Sequence, residues 1–416
     1  MHKFNNTNDH RFAHNLCKKY MTSSKSICVI TENTKSSKDL YSELLLYLED
    51  DQVLLFPENE ILPYDHFSTP ENIVKDRFKA LNNFDKKIIL ITTIKTLHEK
   101  FPERSYFRTL DSFCVNDEIS INKFIKVLET NNFKRTDKVE SINQYAHRGG
   151  IVDVFTPIYS LPIRIEFFDT IIDSIRFFDE KTQSSIKKIN SFKLSHGSLV
   201  PTNDASIDKF KAGWRKYFDS KDERDCEIFS KISNKEFAEG AEIYLPFFFD
   251  QMSTFTELFE EYEFIKNFNQ QSEYGKYINQ RYEDENIDIT RPLILPQDLF
   301  VDSNSVNKFL SKVKELEIDN IYEDKIFNID DVFNNIEKIR EEYKRIVILT
   351  NLSSEIPLIK NKLLFECKEI NTKIVDLDEG LFVKKYPRIN HLAIKNKILI
   401  IHNESGSKKE LLIDED

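Results

Sequence analysis

Two short runs, Ile163–Phe168 and Ile172–Phe178, alternate apolar and polar residues and are separated by a brief turn at Asp169–Thr170. Period-two alternation on both sides of a short turn predicts a hairpin of half-buried strands. Ile163, Ile165 and Phe167 then point to one face, and Arg164, Glu166 and Phe168 to the other. At roughly 3.3 Å per residue, Arg164 and Phe168 share that second face about 13 Å apart. Upstream, Gly149 and Gly150, the first glycines in the chain, precede a strand-like run at Ile151–Phe155, and Pro157 and Pro162 mark a loop. An arginine and a phenylalanine opposite the core have the character of protein–protein anchors. In an arbitrary sheet protein the plainer reading pairs Arg164 with Glu166 and packs Phe168 under a neighbouring loop.

The totals narrow the function classes. A chain of 416 residues predicts two to four domains. A net charge of −11 argues against a nonspecific nucleic-acid binder, which needs a basic surface to displace counterions, although it leaves room for a local basic patch. The cysteines, Cys17, Cys28, Cys114, Cys226 and Cys367, are isolated, with no CxxC, so neither a zinc ribbon nor a disulfide framework is predicted. Reduced cytosolic thiols are the expectation. The polar start MHKFNNTNDH has no signal core, and the strongest apolar run, Ile88–Ile94, is too short for a membrane span. A soluble, cytoplasmic chain with no membrane partner is predicted.

The first hundred residues read as strands at Ser26–Ile30, Val53–Phe56 and Lys87–Ile91. Between them lie a helix capped by Ser36–Ser37, carrying Leu40, Tyr41, Leu44, Leu45 and Leu48, and a helix over Glu71–Phe84 burying Ile73, Val74, Phe78 and Leu81. Strands apolar on both faces and separated by helices predict a parallel sheet. Such a sheet invites a phosphate loop, but no two glycines stand five apart, so the Walker A turn is missing. Thr34–Lys38 reads as a loop and helix cap. A further helix is predicted at Ser120–Thr130, and another around Phe210–Phe218 with Trp214. His147 has no neighbours at metal-ligand spacing. Tyr244, Phe247 and Phe248 lack flanking basic residues and read as core rather than a base-stacking platform. Phe255–Phe268 reads as a helix with four glutamates on a solvated face. The last hundred residues predict strands at Arg345–Thr350, Lys373–Val375 and Lys397–Ile401, with helices ending at Lys338–Tyr343 and spanning Ser354–Phe365. Leu411–Asp416 mimics a Walker B strand and reads as an acidic tail.

Three strings carry a family resemblance: Tyr145-Ala-His-Arg-Gly-Gly-Ile-Val-Asp-Val-Phe, Ile163-Arg-Ile-Glu-Phe-Phe-Asp and Ile172-Asp-Ser-Ile-Arg-Phe-Phe-Asp. They resemble domain 2 of the bacterial transcription-repair coupling factors, a domain shared with the excision-repair protein UvrB. Phe56-Pro-Glu-Asn-Glu-Ile-Leu-Pro-Tyr-Asp-His-Phe-Ser, Leu194-Ser-His-Gly-Ser-Leu-Val-Pro and Gly240–Asp250 follow the same family in order. The resemblance implies a multidomain α/β chain. A split UvrB-like parallel-sheet domain (residues 1–106 and 189–303) would surround an inserted α+β domain (107–188), and a small α/β domain (320–416) would follow. It implies that Arg148, Arg164 and Phe168 contact UvrA, the arginines giving planar hydrogen bonds to acidic groups and Phe168 supplying apolar area. On that basis Arg164→Ala or Phe168→Ala is expected to weaken binding by about 2 kcal/mol or more without unfolding the domain. The aromatic hairpin with which UvrB clamps DNA has no room before the Glu71 helix. The expected role is the amino-terminal part of a coupling factor that brings UvrA to stalled RNA polymerase in transcription-coupled excision repair, with no catalytic residue and no cofactor of its own. ATP, Mg²⁺, RNA polymerase and duplex DNA would be met by family domains beyond this chain. In the family the carboxy-terminal domain masks the UvrA surface at rest. The alternatives are a UvrB-like ATPase, distinguished by DNA-stimulated ATP hydrolysis, and a non-catalytic DNA-binding module, distinguished by salt-dependent DNA binding.

Overall fold

The computed structural model describes residues 11–316, apart from 46, 85, 108–110, 132, 219–225, 237 and 289, together with 345–350, 381–385 and 398–403. Residues 25–38 and 51–314 form one compact unit, and the helix Arg11–Thr22 and the carboxy-terminal strands belong to another.

The larger unit contains the parallel sheet that the apolar runs predict. Every residue of Ile27–Thr31 and of Ile89–Thr93 is buried, as expected of strands covered on both sides. Ile27–Thr31 pairs in parallel with Ile89–Thr93, which pairs in parallel with Val53–Leu55. On its other side Ile27–Thr31 takes a strand from much later in the chain, Glu263–Lys266, also in parallel. This corrects the helix expected over 255–268. Thr254 and Glu257 form a capping box on a single turn, Phe255–Leu258, and the chain then turns into the sheet. The buried Phe255, Leu258, Phe259 and Tyr262 keep helical spacing across that turn, which is why the sequence reads as one helix. The open edge of Ile27–Thr31 supplies backbone partners that local propensity does not register.

Two helix boundaries also move. The helix expected behind Ser36–Ser37 runs Thr34–Leu44, because the side chain of Asn33 accepts the Ser36 amide at 3.0 Å and acts as its cap. The next helix, Glu71–Leu81, stops before Phe84 and buries Arg77 besides Ile73, Phe78 and Leu81. Phe56, Phe78, Phe101, Phe255 and Phe259 share one core. Trp214 packs with Phe210, Tyr244, Phe247 and Phe248 in another, so the GAEIYLPFFFD aromatics are interior side chains.

Between the first and last strands of the parallel sheet, the chain builds a six-stranded sheet. Its spatial order is Ser185–Ile189, Ile171–Phe178, Ile163–Phe168, Ile151–Val154, Gln144–Arg148 and Lys134–Arg135, antiparallel except at the last pair. The outer strands and Gln144–Arg148 are additions to the predicted hairpin. Helix Ile121–Thr130, capped by the Ser120 hydroxyl, lays Phe124 and Leu128 onto Tyr145, Val152, Ile163, Ile165 and Ile172. The opposite face has two ends. At one, Ala146, Phe155 and Phe178 pack with Val74 of helix Glu71–Leu81, and Lys75 Nζ sits 4.9 Å from the Phe155 ring centre. The other end lies open.

In the second unit, helix Arg11–Thr22, which the sequence reading did not identify, buries Ala13, Leu16, Cys17 and Tyr20. Strand Arg345–Thr350 lies between Leu381–Lys385 and Ile398–Asn403, all parallel. The predicted elements at Lys338–Tyr343, Ser354–Phe365 and Lys373–Val375, the Leu411–Asp416 tail and Cys367 lie outside the described residues.

Candidate functional site

The open end of the antiparallel sheet is made by two turns. In the first, Gly149 takes a φ of +59°, and a Cβ on Gly150 would stand 3.0 Å from the Phe167 carbonyl oxygen. A left-handed residue followed by a close backbone approach is what two adjacent glycines permit. The Phe167 amide donates to the Gly150 carbonyl at 2.8 Å, and His147 Nε2 lies 2.9 Å from the Gly149 oxygen, so the lone histidine braces this turn. The second turn, at Asp169–Thr170, has Asp169 at a φ of +56°. Arg148 stands opposite Ile151, Ile151 opposite Glu166, and Phe168 opposite Ile171, which brings both turns to one end of the sheet. There Phe168 is 77% exposed and the Arg148 side chain 60% exposed, with Ile171 also open to solvent.

The charges on this face are arranged differently from the Arg164–Glu166 pair of the plainer reading. Asp153 lies directly across from Arg164, and its carboxylate is almost fully buried at 3% exposure. Arg164 Nε and Nη2 donate to the two Asp153 oxygens at 2.7 and 2.8 Å. Its remaining donors reach the carbonyl and side-chain oxygens of Gln183, and its guanidinium lies 4.5 Å from the Phe178 ring centre. Glu166 instead accepts from Ser174 at 2.6 Å and from Arg176. The Ser174 hydroxyl first, and then Arg176, hold the Glu166 carboxyl below its ordinary range.

Arg164 and Phe168 lie on one face, as the alternation predicts, and Arg148 shares it, but the three are in different states. Arg164 is only 17% exposed and its guanidinium is bonded within the sheet, so the picture of two arginines equally offered outward needs correction. Arg148 remains outward, with Nη2 3.8 Å from Asp153 Oδ2. Asp153 is the residue that sequence reasoning missed. Its signal was present: it is the one charged residue in the strand Ile151–Val154.

The parallel sheet offers a second place to look, where its first strand hands over to helix Thr34–Leu44. The Thr34 and Thr93 hydroxyls donate to the two oxygens of Glu58 at 2.6 and 3.0 Å, and Lys95 Nζ lies 3.6 Å from the same carboxylate. Nearby, Arg77 makes a bidentate pair with Glu99 at 2.6 and 2.8 Å and donates to the Pro57 carbonyl. Among the described residues no group of three His, Cys, Asp or Glu side chains is placed to hold a metal ion, and no helix is long and apolar enough to cross a membrane.

Comparison with known proteins adds to this geometry. The UvrB interaction domain family matches residues 112–198, which contain the antiparallel sheet and the helix on it. The transcription-repair-coupling factor of Haemophilus influenzae is 34% identical over 290 residues, covering 68% of this chain and 25% of that protein. That of Escherichia coli is 26% identical over 297 residues, 69% of this chain and 25% of its own length. That of Rickettsia prowazekii is 22% identical over 424 residues, 92% of this chain and 38% of its own length. The chain therefore spans between a quarter and two fifths of these relatives.

Proposed function

We propose, on the premise that this chain is a relative of the transcription-repair coupling factors, that it is a docking module which recruits UvrA through the open end of its antiparallel sheet. The observation that carries this is Phe168, a large apolar side chain 77% exposed at the same open end as Arg148, on a face whose other end is packed against a helix. An exposed aromatic side chain and a solvent-facing arginine on one face have the make-up of a binding hot spot. The match of this sheet to the UvrB interaction domain supports the same partner. In this reading Phe168 fills an apolar recess on UvrA and Arg148 meets an acidic group at its rim. Arg164 contributes by keeping the face in shape.

The module acts in this reading without a nucleotide of its own. The Glu58 carboxylate accepts from the Thr34 and Thr93 hydroxyls at the turn into helix Thr34–Leu44. In this reading ATP-driven movement, RNA polymerase and duplex DNA belong to other segments of the relatives, which are longer than this chain. The recruitment would then take place where transcription has stalled, in the cytoplasm.

Titration of purified UvrA against the purified chain tests the proposal. Phe168→Ala is expected to weaken binding by about 2 kcal/mol and Arg148→Ala by about 1 kcal/mol. Neither exposed substitution should shift thermal unfolding. Unchanged affinity in both variants overturns the docking assignment.

A further inference from the structure

We infer that Asp153 is a positioning residue for docking, holding Arg148 at a fixed place on the open face while leaving its charge free for a partner. The inference rests on the docking reading above and deepens it. Asp153 belongs to neither exposed side chain, yet it is the only carboxylate within reach of both guanidinium groups given by the described ion pairs: Arg164 at 2.7 Å and Arg148 at 3.8 Å.

The order of these two contacts matters. The bidentate bond from Arg164 already balances the buried carboxylate, so Arg148 is tethered without being neutralised. The three groups together carry one net positive charge, displayed by the outermost of them. A long arginine side chain loses considerable rotamer freedom when it is fixed in a complex. A tether in the free protein removes part of that cost before the partner arrives. The same arrangement explains a charged residue in a strand that is otherwise apolar. The carboxylate is buried under two arginines, and the strand register places it directly opposite one and diagonally from the other.

The test is a double-mutant cycle read by UvrA titration of the full chain, with a thermal melt on every variant. Asp153→Asn is expected to weaken binding about fivefold, the cost of immobilising one long side chain. In that background Arg148→Ala should cost less than it does alone, whereas Phe168→Ala should cost the same as before. A loss of folded protein would lower the affinity without making the Arg148 effect smaller, which separates positioning from a merely structural role. Should Asp153→Asn not fold, the paired replacement Asp153→Leu with Arg164→Met removes the carboxylate together with its buried counter-charge and takes its place in the cycle. Affinity that is unchanged or tighter without the carboxylate overturns the inference, as does an undiminished Arg148 effect. If instead Phe168→Ala and Arg148→Ala are both silent in the native chain, it is the docking reading that fails.

Discussion

The two sheets of the larger unit are made from similar residues and leave different things over. In the parallel sheet, strands Ile27–Thr31 and Ile89–Thr93 are buried throughout, and the charged groups around it are bonded to one another: Arg77 to Glu99, Glu58 to Thr34, Thr93 and Lys95. In the antiparallel sheet one face lies under a helix, while the other is packed at one end and keeps Phe168 and Arg148 in solvent at the other. Three arginines make the contrast concrete. Arg77 and Arg164 are bound up in bidentate pairs within the fold, and Arg148 is held at arm's length. What a residue can offer a partner follows from what the fold has left unsatisfied, and residue type alone does not reveal it.

Stability measurements can break this ranking. Arg77→Ala should have the largest effect, about 4 kcal/mol in chemical denaturation, because it leaves Glu99 and the Pro57 carbonyl without a nearly fully buried partner. Arg164→Ala should follow at about 3 kcal/mol, since it leaves the buried Asp153 carboxylate with only Arg148, 3.8 Å away, to offset its charge. This reverses the expectation that Arg164 can be removed without harm to the domain, and any loss of binding in that variant is to be separated from loss of fold. If Arg164→Ala proves as stable as the native chain, the face is more open than described and the two sheets differ less than argued.

Much of this contrast is legible in the sequence, and the part that is not has definite causes. Period two at Ile163–Phe168 placed Arg164 and Phe168 on the outer face, and the apolar runs placed the parallel strands. Local pattern cannot show which outer residue another strand will engage. Asp153 and Arg164 are eleven residues apart, and only the register makes them opposite. The single turn Phe255–Leu258 and the strand Glu263–Lys266 were hidden for a related reason: their apolar spacing fits a helix, and the pairing that overrides it comes from Ile27–Thr31 far upstream. Glu58 likewise gains its partners, Thr34 and Thr93, from elements on either side of it in the chain.

The smallest of these stability effects concerns the junction between the two sheets. His196 follows the strand Ser191–Leu194 and stacks on Tyr106, with ring centres 4.1 Å apart and planes within 6°. The Tyr106 hydroxyl donates to the Ser198 carbonyl at 2.7 Å, and Asn143 donates to that of Gly197, so this segment is tied to both neighbours. Burial pushes the His196 imidazole down from 6.5 to about 4, which means that the fold holds it neutral while the unfolded chain takes up a proton below about pH 6.5. The sign is therefore set: this contribution is whole above pH 6.5 and is lost as the pH falls toward 4, reaching about 2 kcal/mol after allowance for partial exposure. His98, also lowered by burial, acts in the same direction. Asp76 and Glu242, raised by burial, act in the opposite one, so the total slope of the native chain does not isolate His196. The difference between the native chain and His196→Phe does, because phenylalanine retains the ring against Tyr106 and cannot titrate. Denaturation midpoints measured from pH 8 to pH 4.5 should fall less steeply in the variant below pH 6.5. Parallel curves would show that the junction is solvated, and that the boundary between the closed sheet and the open one is softer than the stacking implies.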